Sequence, residues 1–251
     1  MAKHRRKKWR VYQLLVAAGM VKSKEEAAEL AHAGKITVNG KVMLSLFYQV
    51  HPFKDEVHID GKKVEFTENR TYFVLNKPAG IETTKANMLR FIEDKVPAQD
   101  LLSFAPVGRL DKDTTGLLII TNDGRLGRKV LNPKTKRAKV YRAVVQWQVT
   151  EQEADQLRKG VSITVEYDDG TRPYTTLPAN VRIIRASPHE SEIELSIIEG
   201  KKRQVRKMCR AIRHPVKELT RIAIAKLQLG TLKRGAIKEY PKDEIYRLLF
   251  E

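Results

Sequence analysis

Gly108-Arg109-Leu110-Asp111-Lys112-Asp113-Thr114-Thr115-Gly116 runs directly into Leu117-Leu118-Ile119-Ile120-Thr121 and then Asn122-Asp123-Gly124. Two carboxylates sit in a glycine-bounded, threonine-rich loop that opens onto an apolar strand closed by a turn signal. A near-continuous apolar run is the pattern of a strand covered on both faces, which puts residues 117–121 near the centre of a sheet. A carboxylate at the mouth of such a strand is easy to hold rigid and costly to desolvate, which suits it for chemistry. The local pattern equally fits a polar loop in which Asp113 serves as a turn or cap residue.

Outward from this stretch, the 251 residues are enough for one large or two modest domains, and 41% hydrophobic against 31% charged residues supports a packed core. A single cysteine, Cys209, excludes an intramolecular disulfide and any multi-cysteine metal site, and fits a reducing cytoplasm. No apolar run is long enough to span a membrane, and the basic N-terminus lacks the apolar segment of a secretory signal. The net charge of +18 is clustered. Residues 1–10 hold six Lys/Arg, residues 124–142 hold eight, and residues 199–213 hold seven beside one acid, Glu199. The rest of the chain is close to neutral, so the positive charge is a local footprint for a polyanion, with nucleic acid the leading partner.

The first 65 residues read as a small module behind a basic arm over residues 1–8. Val11, Leu14, Leu15 and Ala18 fall at helical spacing and Gly19 stops them. Ser23-Lys24-Glu25-Glu26 is a capping-box pattern opening a second helix that ends at Gly34. Asn39-Gly40 between Ile36-Thr37-Val38 and Lys41-Val42-Met43 is a strong hairpin signal, and Asp60-Gly61 suggests another strand pair. Residues 65–70 read as a short polar linker.

Strand-like runs dominate from residue 71. Thr71-Tyr72-Phe73-Val74-Leu75 ends at Asn76-Lys77-Pro78-Ala79-Gly80, where Pro and Gly force a turn. Residues 85–104 are helical in tone. A short helix is expected over residues 125–131, strands over 140–145 and 192–198, and Thr150-Glu151-Gln152-Glu153 caps a helix that stops at Gly160. Strands and helices mix without a βαβ rhythm, so the expected class is α+β with a mixed, largely antiparallel sheet flanked by helices. In Gln204-Val205-Arg206-Lys207-Met208-Cys209-Arg210, the residues Val205, Met208, Cys209 and Ile212 form an apolar helical stripe. Arg203, Lys207, Arg210 and His214 fall on the other side, with Arg206 at the stripe's edge.

These strings together resemble the pseudouridine synthases that modify bacterial ribosomal RNA. The resemblance rests on the Asp111 loop, the Asn76–Gly80 turn, Lys139-Val140-Tyr141 and Glu199–Arg210, and spans residues 71–251. Residues 9–65 resemble the S4 RNA-binding module through Gly19, Ser23, Ala27, Gly34 and Val38-Asn39-Gly40, with Ser23-Lys24 where Ser-Arg is common. The resemblance implies domains of 9–65 (S4-like) and 70–251 (catalytic). It also implies Asp111 as nucleophile, Tyr141 stacked on the target base, and Arg206 paired with Asp111 to keep it ionised. A tyrosine in a strand is otherwise ordinary core packing. Arg109, Lys77, Arg203, Lys24, Lys35 and Arg142 are the expected RNA contacts.

The implied reaction breaks the uridine N-glycosidic bond and rejoins the base through C5, a rearrangement that needs no cofactor. No Walker loop, dinucleotide fingerprint or His/Cys cluster stands in the sequence, so neither cofactor nor metal is expected. The uridine has to leave its stack to be reached. Whether Asp111 attacks the sugar C1′ or the base C6 stays open. Arg203 before Gln204 points towards a large-subunit (23S) ribosomal RNA target, with a small-subunit (16S) target as the alternative. A monomer is expected. A non-catalytic RNA-binding ribosome-assembly protein would leave the Asp111, Tyr141 and Arg206 set unexplained. A two-carboxylate glycoside hydrolase fits poorly with +18.

Overall fold

A computed structural model describes residues 9–51, 54–64, 70–135 and 137–251. The expected basic arm and residues 65–69 of the expected linker lie outside the described residues. The chain divides into two compact units. One is the chain before residue 70 together with Val96–Leu102; the other is Arg70–Lys95 with Ser103–Glu251.

In the first unit, helices Val11–Ala17 and Lys24–His32 precede an antiparallel sheet ordered Lys41–Val42, Ile36–Val38, Val57–Ile59, Lys62–Lys63. Asn39 and Gly40 both take positive φ, 50° and 78°, as the two-residue hairpin turn demands. Val11, Leu14, Leu15, Ala27, Ile36 and Val57 form its core. Ser23 Oγ accepts the Glu26 amide at 3.2 Å as expected. Glu26, however, reaches back to the Lys22 amide at 2.6 Å rather than to that of Ser23, so the reciprocal half of the cap lies one residue earlier.

The second unit is built on a nine-stranded sheet. Its main path runs Asn180–Ala186, Glu190–Ile197, Lys139–Gln146, Val216–Ile224, Thr115–Thr121, Tyr72–Lys77, Ile237–Tyr240. Every neighbour pair is antiparallel except Val216–Ile224 with Thr115–Thr121, which is parallel. Thr115–Thr121 is buried along its whole length, as its apolar run requires. Helices Glu151–Lys159 and Gln204–Ala211 pack Ala154, Leu157, Met208 and Cys209 against Ala143, Val145, Ile193 and Leu195. Gly124–Leu131 and the C-terminal Lys242–Phe250 pack Leu126, Ile245 and Leu249 against Tyr72, Leu117 and Ile119. The class is α+β with a mixed, largely antiparallel sheet. Complete burial pushes the Cys209 thiol up to about 12, which makes it a core side chain rather than a nucleophile.

Two local expectations shift. The first strand continues through Asn76 and Lys77, which still pair with Leu117 and Gly116, and Pro78 then ends it by lacking an amide donor. Residues 85–104 contain only two short helices, Lys85–Leu89 and Ala98–Leu101. Turns over residues 90–95 separate them, and Pro97 stands at the start of the second, where its missing amide donor costs nothing. The second of these helices belongs to the first unit.

Asp123, at the turn after the central strand, is fully buried. It caps Gly124–Leu131 through the Arg125 amide at 2.9 Å, and accepts the hydroxyls of Tyr72 at 3.0 Å and Tyr246 at 2.6 Å. Arg70 forms an ion pair with it. Burial by itself would raise the Asp123 pKa, but the Tyr246 hydroxyl, the Arg125 amide and the Arg70 charge outweigh it and hold the carboxyl below its ordinary value. One side chain thus ties the start of the first strand, the central strand's turn and the C-terminal helix. Asp123→Asn should cost about 3 kcal/mol at neutral pH, because it strands buried donors. A carboxylate depressed in the folded state contributes stability above its unfolded pKa and loses it as pH falls through the folded one. Urea denaturation below about pH 4 should therefore show wild type and variant converging; an equal gap at all pH values would contradict the ionised, tethering role.

Candidate active site

The Asp111 loop is shaped by backbone contacts at its two ends. The Thr114 amide donates to the Asp111 carbonyl at 3.0 Å, closing a turn, and the Gly80 amide donates to the Lys112 carbonyl at 2.8 Å. Lys77, 0% exposed, sends its ammonium to the carbonyls of Ile81 at 2.7 Å, Pro78 at 2.8 Å and Lys112 at 3.4 Å. Burial lowers the Lys77 pKa, partly offset by the charges of Asp113 and Asp111. At the strand end, Thr115 Oγ1 lies 2.8 Å from Thr220 Oγ1, and Gly116 stands opposite Arg221 across the parallel pairing. A Cβ on Gly116 would lie 2.3 Å from the Arg221 carbonyl oxygen, and its φ is +106°. Only glycine lets the two strands approach this closely.

Beside the loop lies a cleft of about 710 Å³. It brings Asp111 and Arg109 together with Tyr141 and Lys139 from the strand Lys139–Gln146, Arg203 from the start of the Gln204–Ala211 helix, and Arg221 from Val216–Ile224. Its apolar walls include Leu110, Leu131, Ile197 and Val205. Tyr141 and Arg221 are cross-strand partners, which is why a residue eighty positions downstream of Tyr141 reaches the same cleft. The Asp111 carboxylate has no hydrogen bond or ion pair among the described residues, while its charge acts on Lys77, Arg203 and Arg206. It is a half-buried carboxylate surrounded by cations and left free to react.

The family model for RNA pseudouridylate synthases matches residues 71–211, and the S4 domain model matches residues 9–57. This chain belongs to the RNA pseudouridylate synthase family. It is 35% identical over 244 residues to an uncharacterized RNA pseudouridine synthase of Aquifex aeolicus, covering 95% of this chain and 93% of that protein. It is 34% identical over 243 residues to ribosomal large subunit pseudouridine synthase B of Bacillus subtilis, covering 94% of each. A crystal structure of a pseudouridylate synthase superposes with a TM-score of 0.63 at 24% identity, covering 96% of this chain and 99% of that one, and so shares the fold. The protein is thus a pseudouridine synthase, an isomerase acting on RNA, with an N-terminal S4 domain.

Within this synthase, the expected site residues separate. Asp111, Tyr141, Arg109 and Arg203 line the cleft. Arg206 does not pair with Asp111. Its guanidinium, on a side chain only 11% exposed, lies 3.2 Å from the Asp113 carboxylate and donates to the Asp113 carbonyl at 3.1 Å. Asp113 also takes a two-pronged contact from Arg203 at 3.0 and 3.2 Å. Two residues along the turn, Asp113 faces the helix that carries both arginines. Burial acts to raise its pKa, but Arg203 and Arg206 overcome this and hold it low. Arg203 takes left-handed backbone, φ 54°, to make this contact at the helix start.

Lys77 cannot serve as an RNA contact, because its ammonium is enclosed by backbone carbonyls. Arg142 faces Glu192 at 3.3 Å and does not line the cleft, since alternation along the strand sends it away from Tyr141. His214 is not on the basic side of its helix: it is buried, with Nδ1 2.8 Å from the Gln146 carbonyl and Nε2 3.2 Å from the Glu153 carboxylate. In the S4 domain, Lys35 pairs with Asp60 at 3.3 Å and Lys24 lies 5.0 Å from the Phe47 ring centre, both at the surface. Sequence reasoning assigned no role to Lys139, Arg221 or Glu199. Glu199 accepts Tyr174 and Gln204 at 2.6 Å each and so fixes the basic loop before the helix. Arg221 had a readable signal: it is in phase with buried Leu219 and Ala223 on one strand face.

Gly116→Ala should destabilise the synthase by about 3 kcal/mol, combining left-handed backbone strain with a clash against the Arg221 backbone. Chemical denaturation measures this, and a transition midpoint equal to wild type would show that the two strands can part freely.

Proposed function

We propose that this synthase converts a specific uridine of ribosomal RNA to pseudouridine, in the large-subunit RNA, within the cytoplasm. The observation that carries the site assignment is the unpaired Asp111 carboxylate in a cleft shared with Tyr141 and walled by apolar side chains. The large-subunit target is supported by the Bacillus subtilis relative, whose own name specifies that subunit.

In this reading the uridine leaves its stack and lies against the Tyr141 ring, between walls wide enough for a planar base. Asp111 is the nucleophile, at C1′ or at C6. The exposed cations at the cleft mouth, Arg109 and Lys202, face the phosphates of the neighbouring nucleotides. Lys24 and Lys35 extend the RNA contact on the S4 domain. Arg206 acts at one remove: with Arg203 it braces Asp113, and so the turn that presents Asp111.

The test is the pair Asp111→Asn and Asp113→Asn, assayed by tritium release from C5-labelled uridine in a large-subunit ribosomal RNA transcript, with RNA binding measured in parallel. Asp111→Asn is close to isosteric and should retain binding while losing all detectable turnover. Asp113→Asn removes a half-exposed ion pair with Arg203 and a more buried one with Arg206, costing on the order of 1 kcal/mol of stability, and should keep turnover within about tenfold of wild type. Turnover by Asp111→Asn would remove it from the nucleophile's role. Release from small-subunit but not large-subunit transcripts would reverse the target assignment.

A further inference from the structure

The back of the cleft holds two cations that the mechanism above does not use. Arg221 is 4% exposed. Its Nε donates to the Leu117 carbonyl at 2.8 Å, and neither terminal nitrogen has a hydrogen-bond acceptor among the described residues, with Nη2 buried. Lys139 lies two residues before Tyr141, on the same strand face, and among the described residues its ammonium meets only the Arg137 carbonyl, at 3.3 Å. Among the described residues no carboxylate is paired with either side chain. Burial and the charge of Arg221 both pull the Lys139 pKa down. A buried guanidinium with free donors is unfavourable unless something completes it. Lys77, the other fully buried cation near the loop, is by contrast satisfied by backbone carbonyls.

We infer that Arg221 and Lys139 form an oxyanion site for the carbonyl oxygens of the reacting uracil. The inference rests on the reading of the cleft as the uridine site. Depth separates Arg221 from the cations facing phosphate: it is buried on the central sheet opposite Tyr141, whereas Arg109 and Lys202 are exposed at the rim, with Lys139 half-buried between. A base flat against Tyr141 presents its polar edge to the flanking side chains.

The chemistry requires donors there by either route. If Asp111 adds to C6, the new O–C6 bond pushes the C5=C6 pair onto O4, and the C1′–N1 bond then breaks with its electron pair left on the base. If it displaces the base at C1′, the O–C1′ bond forms, the C1′–N1 bond breaks, and its electron pair spreads over N1, O2 and O4. In each case negative charge grows on a uracil oxygen until C5 bonds to C1′, the Asp111 carboxylate is released, C5 gives up its proton and N1 gains one. Donors already in place at those oxygens stabilise this charge without having to reorganise.

The experiment compares wild type, Lys139→Met, Arg221→Gln and Arg221→Lys in the full chain. It measures single-turnover tritium release at saturating C5-labelled large-subunit transcript, together with RNA affinity as a function of salt. Loss of one oxyanion donor should slow the saturated rate on the order of 100-fold. RNA affinity and its salt slope should stay unchanged, and Arg221→Lys should recover part of the rate. A normal saturated rate with weaker binding and a salt slope reduced by about one would make the pair a phosphate site and overturn the inference. A normal rate with normal binding would make it purely structural. If Arg221→Gln does not fold, Lys139→Met at the strand's start decides the matter by the same criteria. No release by wild type on any ribosomal RNA would overturn the uridine reading of the cleft and this inference with it. Release by wild type with unchanged rates in the variants would overturn this inference alone.

Discussion

The contact of Gly116 with the Arg221 backbone governs this molecule. It sits in the one parallel pairing of an otherwise antiparallel sheet. The Asp111 loop ends at this pairing, and the strand opposite carries Arg221 beside Tyr141. Any side chain at 116 would hold the strands apart, and the loop, the tyrosine and the cleft's rear wall would separate together. The apolar strand after Gly116 supplies the rigidity, since its burial on both faces allows no slack.

Around that pairing, charges fall into three roles distinguished by burial. Fully enclosed groups hold the frame: Asp123 gathers Arg70, Tyr72 and Tyr246, and Lys77 gathers the carbonyls under the Asp111 loop. Half-exposed groups brace it, as Arg203 and Arg206 do on Asp113. Asp111 belongs to neither set. Its charge acts on several cations and it is bonded to none among the described residues, which leaves the carboxylate available to a substrate. Had Arg206 closed on Asp111 instead, that carboxylate would have to break a contact before it could meet a substrate.

Most of the fold was legible in the chain. The 117–121 run, the Asn39-Gly40 turn, the Thr150–Glu153 cap and the Val205, Met208, Cys209, Ile212 stripe are local patterns, and local patterns act over a few residues of backbone, where sequence neighbours are also spatial neighbours. Where a second option lay one residue away, as for Glu26 or the end of the first strand at Lys77, reading failed by one or two residues.

The sequence by itself determined the family, the α+β class and the S4 module, and it singled out Asp111 and Tyr141 as candidates, because each is carried by a contiguous string. Tertiary structure alone decided which charge meets which. Asp111 and Asp113 are two residues apart and chemically alike, and only the angle at which the turn meets the Gln204–Ala211 helix gives both arginines to Asp113. Lys77 and Arg109 look equally suited to RNA until burial turns the first inward. Arg221 becomes part of the cleft only through a strand pairing between residues far apart in sequence. Coulomb and hydrogen-bond energies depend on distance through space and on local desolvation, and neither quantity is written in the order of the residues.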